Sequence, residues 1–330
     1  MSESSSTPYA TLGPDTVLDA VESIGLSTDG RLLALSSYEN RVYQVGMDRG
    51  PPVVVKFYRP ARWTDAAILE EHEFVAELAA AELPVVPAMA YAGEVLHRFG
   101  DFRFSVFPRQ GGRSPEFDDL ETLEWMGRFI GRLHAVGRVR PFAHRPALTI
   151  ETFGEAPRRY LFDLHWVPDE LVEALAAVMD YALGQVAQCY RRAGAGRQLR
   201  LHGDCHAGNV LWTDDGPHFV DFDDCRTGPA IQDLWMCLSG ERADMTRQLD
   251  ALLEGYEMFS SFDAAELHLV EALRTLRMIH YTAWLARRWS DPAFPAAFPW
   301  FASPRYWQDL ILNLREQVAL MDEPPLRALP

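Results

Sequence analysis

The densest polar constellation in the sequence is Leu201-His202-Gly203-Asp204-Cys205-His206-Ala207-Gly208-Asn209, followed by Val220-Asp221-Phe222-Asp223-Asp224. Asp204 and Asn209 stand at D-x-x-x-x-N spacing, and Asp221 arrives one hairpin later, at the end of a strand. Phosphoryl transfer from a nucleotide needs such parts. A carboxylate orients the attacking hydroxyl and takes its proton, and hard oxygen donors hold magnesium. On that chemistry Asp204 is the base, Asn209 and Asp221 hold the metal, and Asp221 joins Asp204 in the catalytic set. A hairpin of this length returns Asp221 beside the Asp204–Asn209 loop, and Asp223 and Asp224 add carboxylates where a divalent cation must enter.

Other chemistries compete for these residues. They could simply shape a loop between strands. His202, Cys205, His206 and Cys225 have the ligand types of a zinc site but not its usual paired spacing. Gly203-Asp204-Cys205-His206 also has the form of a two-metal phosphoesterase element, yet no later His pair supplies the further ligands.

A second signal lies upstream. Lys56 is embedded in Val53-Val54-Val55-Lys56-Phe57, an apolar strand pattern. A helix is expected from about Thr64 to Ala81, capped by Thr64 or Asp65 and closed by Pro84. Ile68, Val75 and Leu78 share one stripe of it, and Glu71 falls on the same stripe, where a carboxylate requires a cation. Lys56 paired with Glu71 would reach the phosphates of a nucleotide; Glu70 and Glu73 are the alternatives if the helix phase differs. Strand lysine, inward helical glutamate, D-x-x-x-x-N and strand-end Asp follow a protein-kinase order. No Gly-x-Gly-x-x-Gly loop is present; Ser36-Ser37-Tyr38-Glu39-Asn40 occupies the first hairpin, and Ser36 and Ser37 are the candidate phosphate donors. Adenine is expected against Phe104–Arg109, with Phe107 in contact.

The elements that must position these groups form an α+β, bilobal, protein-kinase-like pattern. Strands at 32–35, 42–45, 53–57 and 102–107 surround the first helix and define a β-rich nucleotide-binding lobe, 1–108. After the Gly111-Gly112 break the chain is mainly helical, a catalytic and substrate lobe, 109–330. Asp118 and Glu121 resemble a capping box for a helix that Gly137 ends, and a second long helix spans about 169–192. A β interlude holds the acidic motifs, and helices resume from Ile231 to Gln317 around an aromatic insertion, 291–306. Tyr281, Trp284, Trp289, Phe294, Phe298, Trp300, Phe301, Tyr306 and Trp307 read as helix packing with some rings lining an acceptor groove, or as a cage for a quaternary ammonium ligand.

With 31 basic and 47 acidic side chains in 330 residues, the net charge of −16 argues against binding nucleic acid. No apolar run of about 18 residues suggests a membrane span. Met1–Thr7 has no basic start or apolar stretch, and the four unpaired-looking cysteines suit a reducing cytoplasm. A monomer is expected. The acidic surface would favour acceptors with basic flanks.

Both departures from the protein-kinase pattern, the missing Gly loop and Asp-Phe-Asp-Asp in place of Asp-Phe-Gly, resemble the aminoglycoside phosphotransferase and choline kinase branch of the fold, with its H-G-D-x-H-x-x-N loop. In that branch Asp233 corresponds to a helix-start acid that braces the catalytic loop; an ordinary early-helix Asp is the alternative. Residues 37–43, 56–60, 68–72, 202–212 and 232–236, with His280–Leu285 and Asp291–Pro295, resemble the bacterial stress response kinase A family. The resemblance covers about residues 36–301 and implies a cytoplasmic kinase using ATP and magnesium to phosphorylate Ser or Thr hydroxyls of proteins. A small alcohol such as choline or an aminosugar is the alternative acceptor. A non-catalytic scaffold is disfavoured because every catalytic position is filled. No activation-loop phosphosite is expected, Thr227 being the only nearby hydroxyl before Ser239.

Overall fold

The computed structural model describes residues 8–327; the Ser-rich start, Met1–Thr7, lies outside the described residues. The chain is α+β and divides into two units. The first takes the chain up to Ser114, with Ala143–Arg145 and Gly208–Asp223; the second takes Pro115–Phe142, Pro146–Ala207 and Asp224 onward. The boundary expected after residue 108 therefore falls inside the first unit, which also recruits two later segments of the chain.

The first unit opens with helix α1 (Pro14–Glu22) and strands β1 (Thr28–Leu35), β2 (Arg41–Met47) and β3 (Val53–Phe57). Helix α2 (Asp65–Ala80), β4 (His97–Phe99) and β5 (Phe102–Pro108) follow. The antiparallel sheet has the order β1-β2-β3-β5-β4. Side chains alternate across a strand, and β3 uses both faces. Val53, Val55 and Phe57 join Phe104, Val106 and the α1 residues Val17 and Val21 in one core, which leaves Val54 and Lys56 on the opposite face. The α2 cap is as expected, Thr64 Oγ1 accepting from the Ala67 N–H at 3.1 Å. The hairpin Val210–Thr213/Gly216–Phe219 also belongs to this unit and bonds back to it through Phe219 N–H and Pro84 O, 2.8 Å.

The second unit is mainly helical: α3 (Leu120–Gly137), α4 (Ala156–Asp163), α5 (Val172–Ala193), α6 (Ile231–Trp235), α7 (Arg242–Glu257), α8 (Val270–Arg288), α9 (Ala293–Ala297) and α10 (Pro304–Asp322). A two-stranded pair, Leu199–Leu201 with Arg226–Gly228, interrupts the helices. The α3 cap is Asp119, not Asp118, because Asp119 is the residue whose carboxylate meets the Thr122 N–H, at 3.0 Å. Most of the aromatic stretch packs as helix core: Phe294, Phe301 and Trp307 are buried with residues of α5, α8 and α10, and Trp284, Trp289, Phe298 and Tyr306 lie against them. Tyr281 and Trp300 remain exposed. Among the described residues no helix is long and apolar enough to cross a membrane.

Helices α3 and α7 approach backbone to backbone. A Cβ on Gly127 would run into the Leu252 carbonyl, one on Gly131 would lie 2.6 Å from Tyr256 O, and one on Gly255 would meet Glu124 O. Backbone cannot step aside as a side chain can, so overpacking here forces the helices apart. Gly127→Ala is therefore expected to cost about 1–3 kcal/mol or more, read as a lower thermal midpoint. Gly184→Ala on α5, where an added Cβ meets nothing within 4 Å, should instead be neutral or stabilise by about 0.5–1 kcal/mol.

Candidate active site

In the first unit Lys56 is the hub. Its Nζ lies 3.0 Å from Asp221 Oδ1, 3.2 Å from Asp223 Oδ1 and 3.8 Å from Glu71 Oε1. Its side chain is 8% exposed, so the ammonium survives only because carboxylates replace water around it. Burial alone would push Lys56 down, but Asp221, Asp223 and Glu71 hold it well above its ordinary range. Burial pushes the Glu71 carboxyl up to about 7, against the pull of Lys56 and Arg145. Of the glutamates that helix phase left open, Glu71 is the one that meets Lys56. Glu70 turns away and accepts the backbone N–H groups of Ala143, His144 and Arg145, and Glu73 is exposed.

Two arginines complete the charge balance, and sequence reading missed both. Arg145 Nη1 stands 3.4 Å from Glu71 Oε2, donates to the Phe222 and Asp223 carbonyls, and stacks over the Trp63 ring at 4.3 Å. Arg62 pairs with Asp223. Arg145 is 74 residues from Glu71, and no local motif marks such a pairing. Asp223 is thus a buried partner of Lys56 and Arg62, and Asp224 pairs with Arg226 at 2.5 Å. This corrects the expectation that both gather where a cation enters. Asp221 differs from them: its side chain is 53% exposed, and its backbone takes φ 58°, a left-handed conformation that costs a non-glycine residue energy and clusters at functional sites.

The face of β3 that carries Val54 and Lys56 lines a cavity of about 380 Å³ within this unit. Every sequence-predicted site residue except Asp204 lines it: Ser36, Ser37, Lys56, Glu71, Phe107, Asn209 and Asp221. Val42, Val54, Val75, Val86, Leu211 and Phe222 make its walls largely apolar, as a planar aromatic ligand with a charged end requires. Asn209 O accepts from the Val220 N–H at 3.0 Å, which holds the Asn209 turn against the strand end that carries Asp221. The Ser36–Asn40 loop is pinned from outside: Asn40 Oδ1 accepts from Arg59 N–H at 3.1 Å, and Arg59 donates to the Glu39 and Tyr38 carbonyls. At the rear, burial pushes His72 down to about 3; its Nε2 meets Tyr58 OH at 2.8 Å and Ser105 Oγ at 3.0 Å.

Asp204 belongs to the second unit. Gly203 before it has φ 84°, and a Cβ there would run into the Asp224 carbonyl. Only glycine fits. Fully buried Asp233, on α6, accepts from the His202 and Gly203 N–H groups, both at 2.8 Å, and His134 Nε2 lies 3.1 Å from it. Asp233 therefore braces the His202–Gly203 backbone, the reading that the sequence left level with an ordinary early-helix acid. Asp204 Oδ1 accepts from Arg277 Nη1 at 2.7 Å, and its Oδ2 lies 3.3 Å from His206 Nε2. Burial raises the Asp204 carboxyl, but the His206 hydrogen bond and the Arg277 charge carry it below its ordinary value. Arg277 also went unseen in the sequence, since it lies on α8, 73 residues away.

The zinc grouping is not assembled: His206 turns to Asp204, and Cys205 and Cys225 are buried thiols. Among the described residues no three His, Cys, Asp or Glu side chains converge as a metal site. Thr227 sits in the strand pair, donating its N–H to Pro146 O and accepting from Leu148 N–H.

Residues 31–270 match the model of the phosphotransferase enzyme family. Stress response kinase A of Escherichia coli (strain K12) is 45% identical over 322 residues, 98% of this chain and 97% of the relative. The serine/threonine protein kinase RdoA of Salmonella typhimurium is also 45% identical over the same share of both chains, 98% and 97%. Among solved structures, amicoumacin kinase hAmiN in complex with AMP-PNP, Ca2+ and Ami aligns with a TM-score of 0.73 at 18% identity, over 96% of this chain and 95% of that one. The microcompartment-associated aminopropanol kinase aligns at 0.68 and 20% identity, over 93% and 96%. These two likenesses concern the fold.

Removing the Asp233 carboxylate would strand two buried N–H donors and leave His134 with the Tyr256 hydroxyl on its other ring nitrogen. Asp233→Ala is expected to lower stability by about 1–3 kcal/mol for each buried donor left unsatisfied. Urea unfolding followed by tryptophan fluorescence checks it; a loss under about 1 kcal/mol would mean that the loop does not lean on Asp233.

Proposed function

Because the chain belongs to the phosphotransferase enzyme family, in the stress response kinase A group, we propose that it is a cytoplasmic stress-response protein kinase that transfers the γ-phosphate of ATP to Ser or Thr hydroxyls of proteins. The observation that carries this reading is the buried Lys56 ammonium, held by Glu71 and Asp221 at the wall of an apolar-sided cavity. A strand lysine paired with a helix glutamate cradles nucleotide phosphates in kinase sites, and the Lys56–Glu71 pair on the wall of this cavity supports the same use here.

In this reading each group has its own role. The lobe of residues 1–108 takes the nucleotide, with adenine on the β5 segment at Phe107 and phosphates at Ser36, Ser37 and Lys56. Glu71 orients Lys56. The lobe of residues 109–330 supplies the catalytic loop and the acceptor surface. Asp204 accepts the proton of the acceptor hydroxyl as its oxygen bonds to the γ-phosphorus, and the bond from that phosphorus to the β–γ bridging oxygen breaks to release ADP. The Asn209 amide oxygen and the Asp221 carboxylate, both on the cavity wall, are hard donors that suit magnesium completed by phosphate and water oxygens. When bound, magnesium neutralises charge on the transferring phosphate.

Protein acceptors are favoured by 45% identity to a serine/threonine protein kinase along nearly the full chain. A small amino-alcohol is the second reading, favoured by the fold likeness to an aminopropanol kinase. Acceptor specificity diverges readily on a shared fold, so an assay must separate them. With γ-labelled ATP, wild type should label generic protein acceptors more efficiently than choline, aminopropanol or an aminosugar; transfer to a small alcohol alone would reverse the assignment. In the same assay Asp204→Ala should lower turnover by about two to four powers of ten, and wild-type turnover would remove Asp204 as base.

A further inference from the structure

We propose that Arg277 is a positioning residue for phosphoryl transfer: from α8 its guanidinium holds Asp204 Oδ1 and, with His206 on Oδ2, fixes the direction in which the carboxylate meets an acceptor hydroxyl. The inference rests on the reading of Asp204 as proton acceptor and adds a residue that no motif in the sequence marks.

An aspartate carboxylate turns easily about its last side-chain bond, because that torsion has a broad, shallow profile. A single donor leaves the second oxygen to swing. Here each oxygen has its own donor, from two different elements: Arg277 at 2.7 Å from the helix and His206 at 3.3 Å from the loop. The plane of the carboxylate is thereby set by groups that do not themselves need to touch the acceptor.

Charge points the same way. The Asp204 side chain is only 21% exposed, and burial favours the protonated form, which cannot take up a proton. Among the groups that act on it are Arg277 from α8, His206 from its own loop, and Asp224 from the segment that follows the Asp221 motif. Asp224 repels a second negative charge, but Arg226 neutralises it at 2.5 Å. Arg277 is a permanent cation in contact with Asp204, at 2.7 Å. A guanidinium stays charged at every working pH and offers a planar fork that sets geometry as well as charge. Exposed ion pairs contribute little, yet this one has its anion mostly withdrawn from water.

The test compares Arg277→Gln and Arg277→Lys with wild type and Asp204→Asn under saturating ATP and magnesium. Arg277→Gln should lower kcat about 10- to 100-fold, leave the KM for ATP within about twofold of wild type, and move the acidic limb of the kcat–pH profile up by about one unit. Arg277→Lys should return the limb to its wild-type position, because charge is restored, while kcat recovers only in part for want of the fork. A merely structural role would not produce that split. If Arg277→Gln folds poorly, Arg277→Lys decides: a several-fold lower kcat on an unshifted limb supports the assignment, and wild-type kcat overturns it. Wild-type kcat and pH profile in Arg277→Gln, with Asp204→Asn inactive, would overturn the role of Arg277 alone. An active Asp204→Asn would instead remove the base assignment beneath it.

Discussion

A buried ammonium organises the first unit. Lys56 is tolerable only if anions surround it, and Glu71, Asp221 and Asp223 do so at 3.0–3.8 Å. Three carboxylates around one cation would be as costly as the bare cation. Arg145 and Arg62 restore the balance, one on Glu71 and one on Asp223. These six charges come from five parts of the chain: β3, α2, the α2 approach, the Ala143–Arg145 segment and the turn after the acidic hairpin, which supplies both Asp221 and Asp223. The need to neutralise Lys56 thus ties together segments that the order of the sequence keeps far apart. Asp221 is the member with solvent access and a strained backbone.

The second unit solves the opposite problem, keeping an anion ready in a site that disfavours it. Gly203 lets the backbone bend where no side chain fits, Asp233 gathers the amides that the bend exposes, and Arg277 with His206 engages the two Asp204 oxygens. The same physical rule governs both units. A charge withdrawn from water must be met by charge or by hydrogen bonds with fixed geometry, and fixed geometry is what phosphoryl transfer requires of its catalyst.

How much of this could be read in the sequence depended on distance along the chain. The strands, the Thr64 cap and the inward phase of Glu71 follow from local periodicity, and they stand where the pattern put them. The Asp204–Asn209 spacing and the strand-end Asp221 were legible because a short loop and one hairpin carry them. Long-range partners were not. Arg145, Arg62 and Arg277 are ordinary arginines in the sequence, and only folding reveals which carboxylate each one meets. The commitment of Asp223 to Lys56 was hidden for the same reason: adjacent aspartates look alike until burial separates them. Asp119, one residue from the expected cap, shows how a single turn of backbone decides between equivalent side chains.

The acidic composition also takes on a local meaning. Of the 47 acidic side chains, the few in the cavity are matched by lysine and arginine, so phosphate can approach a region that is nearly balanced although the whole chain carries −16. That balance makes Lys56 the decisive group, since removing it takes the one lysine from the cavity wall and leaves Asp221 without its 3.0 Å cation. Calorimetric titration of ATP with magnesium into wild type and Lys56→Met, with thermal melts to confirm folding, tests this directly. The variant should bind at least about tenfold more weakly; wild-type affinity in a folded Lys56→Met protein would contradict the assignment of this cavity to the nucleotide.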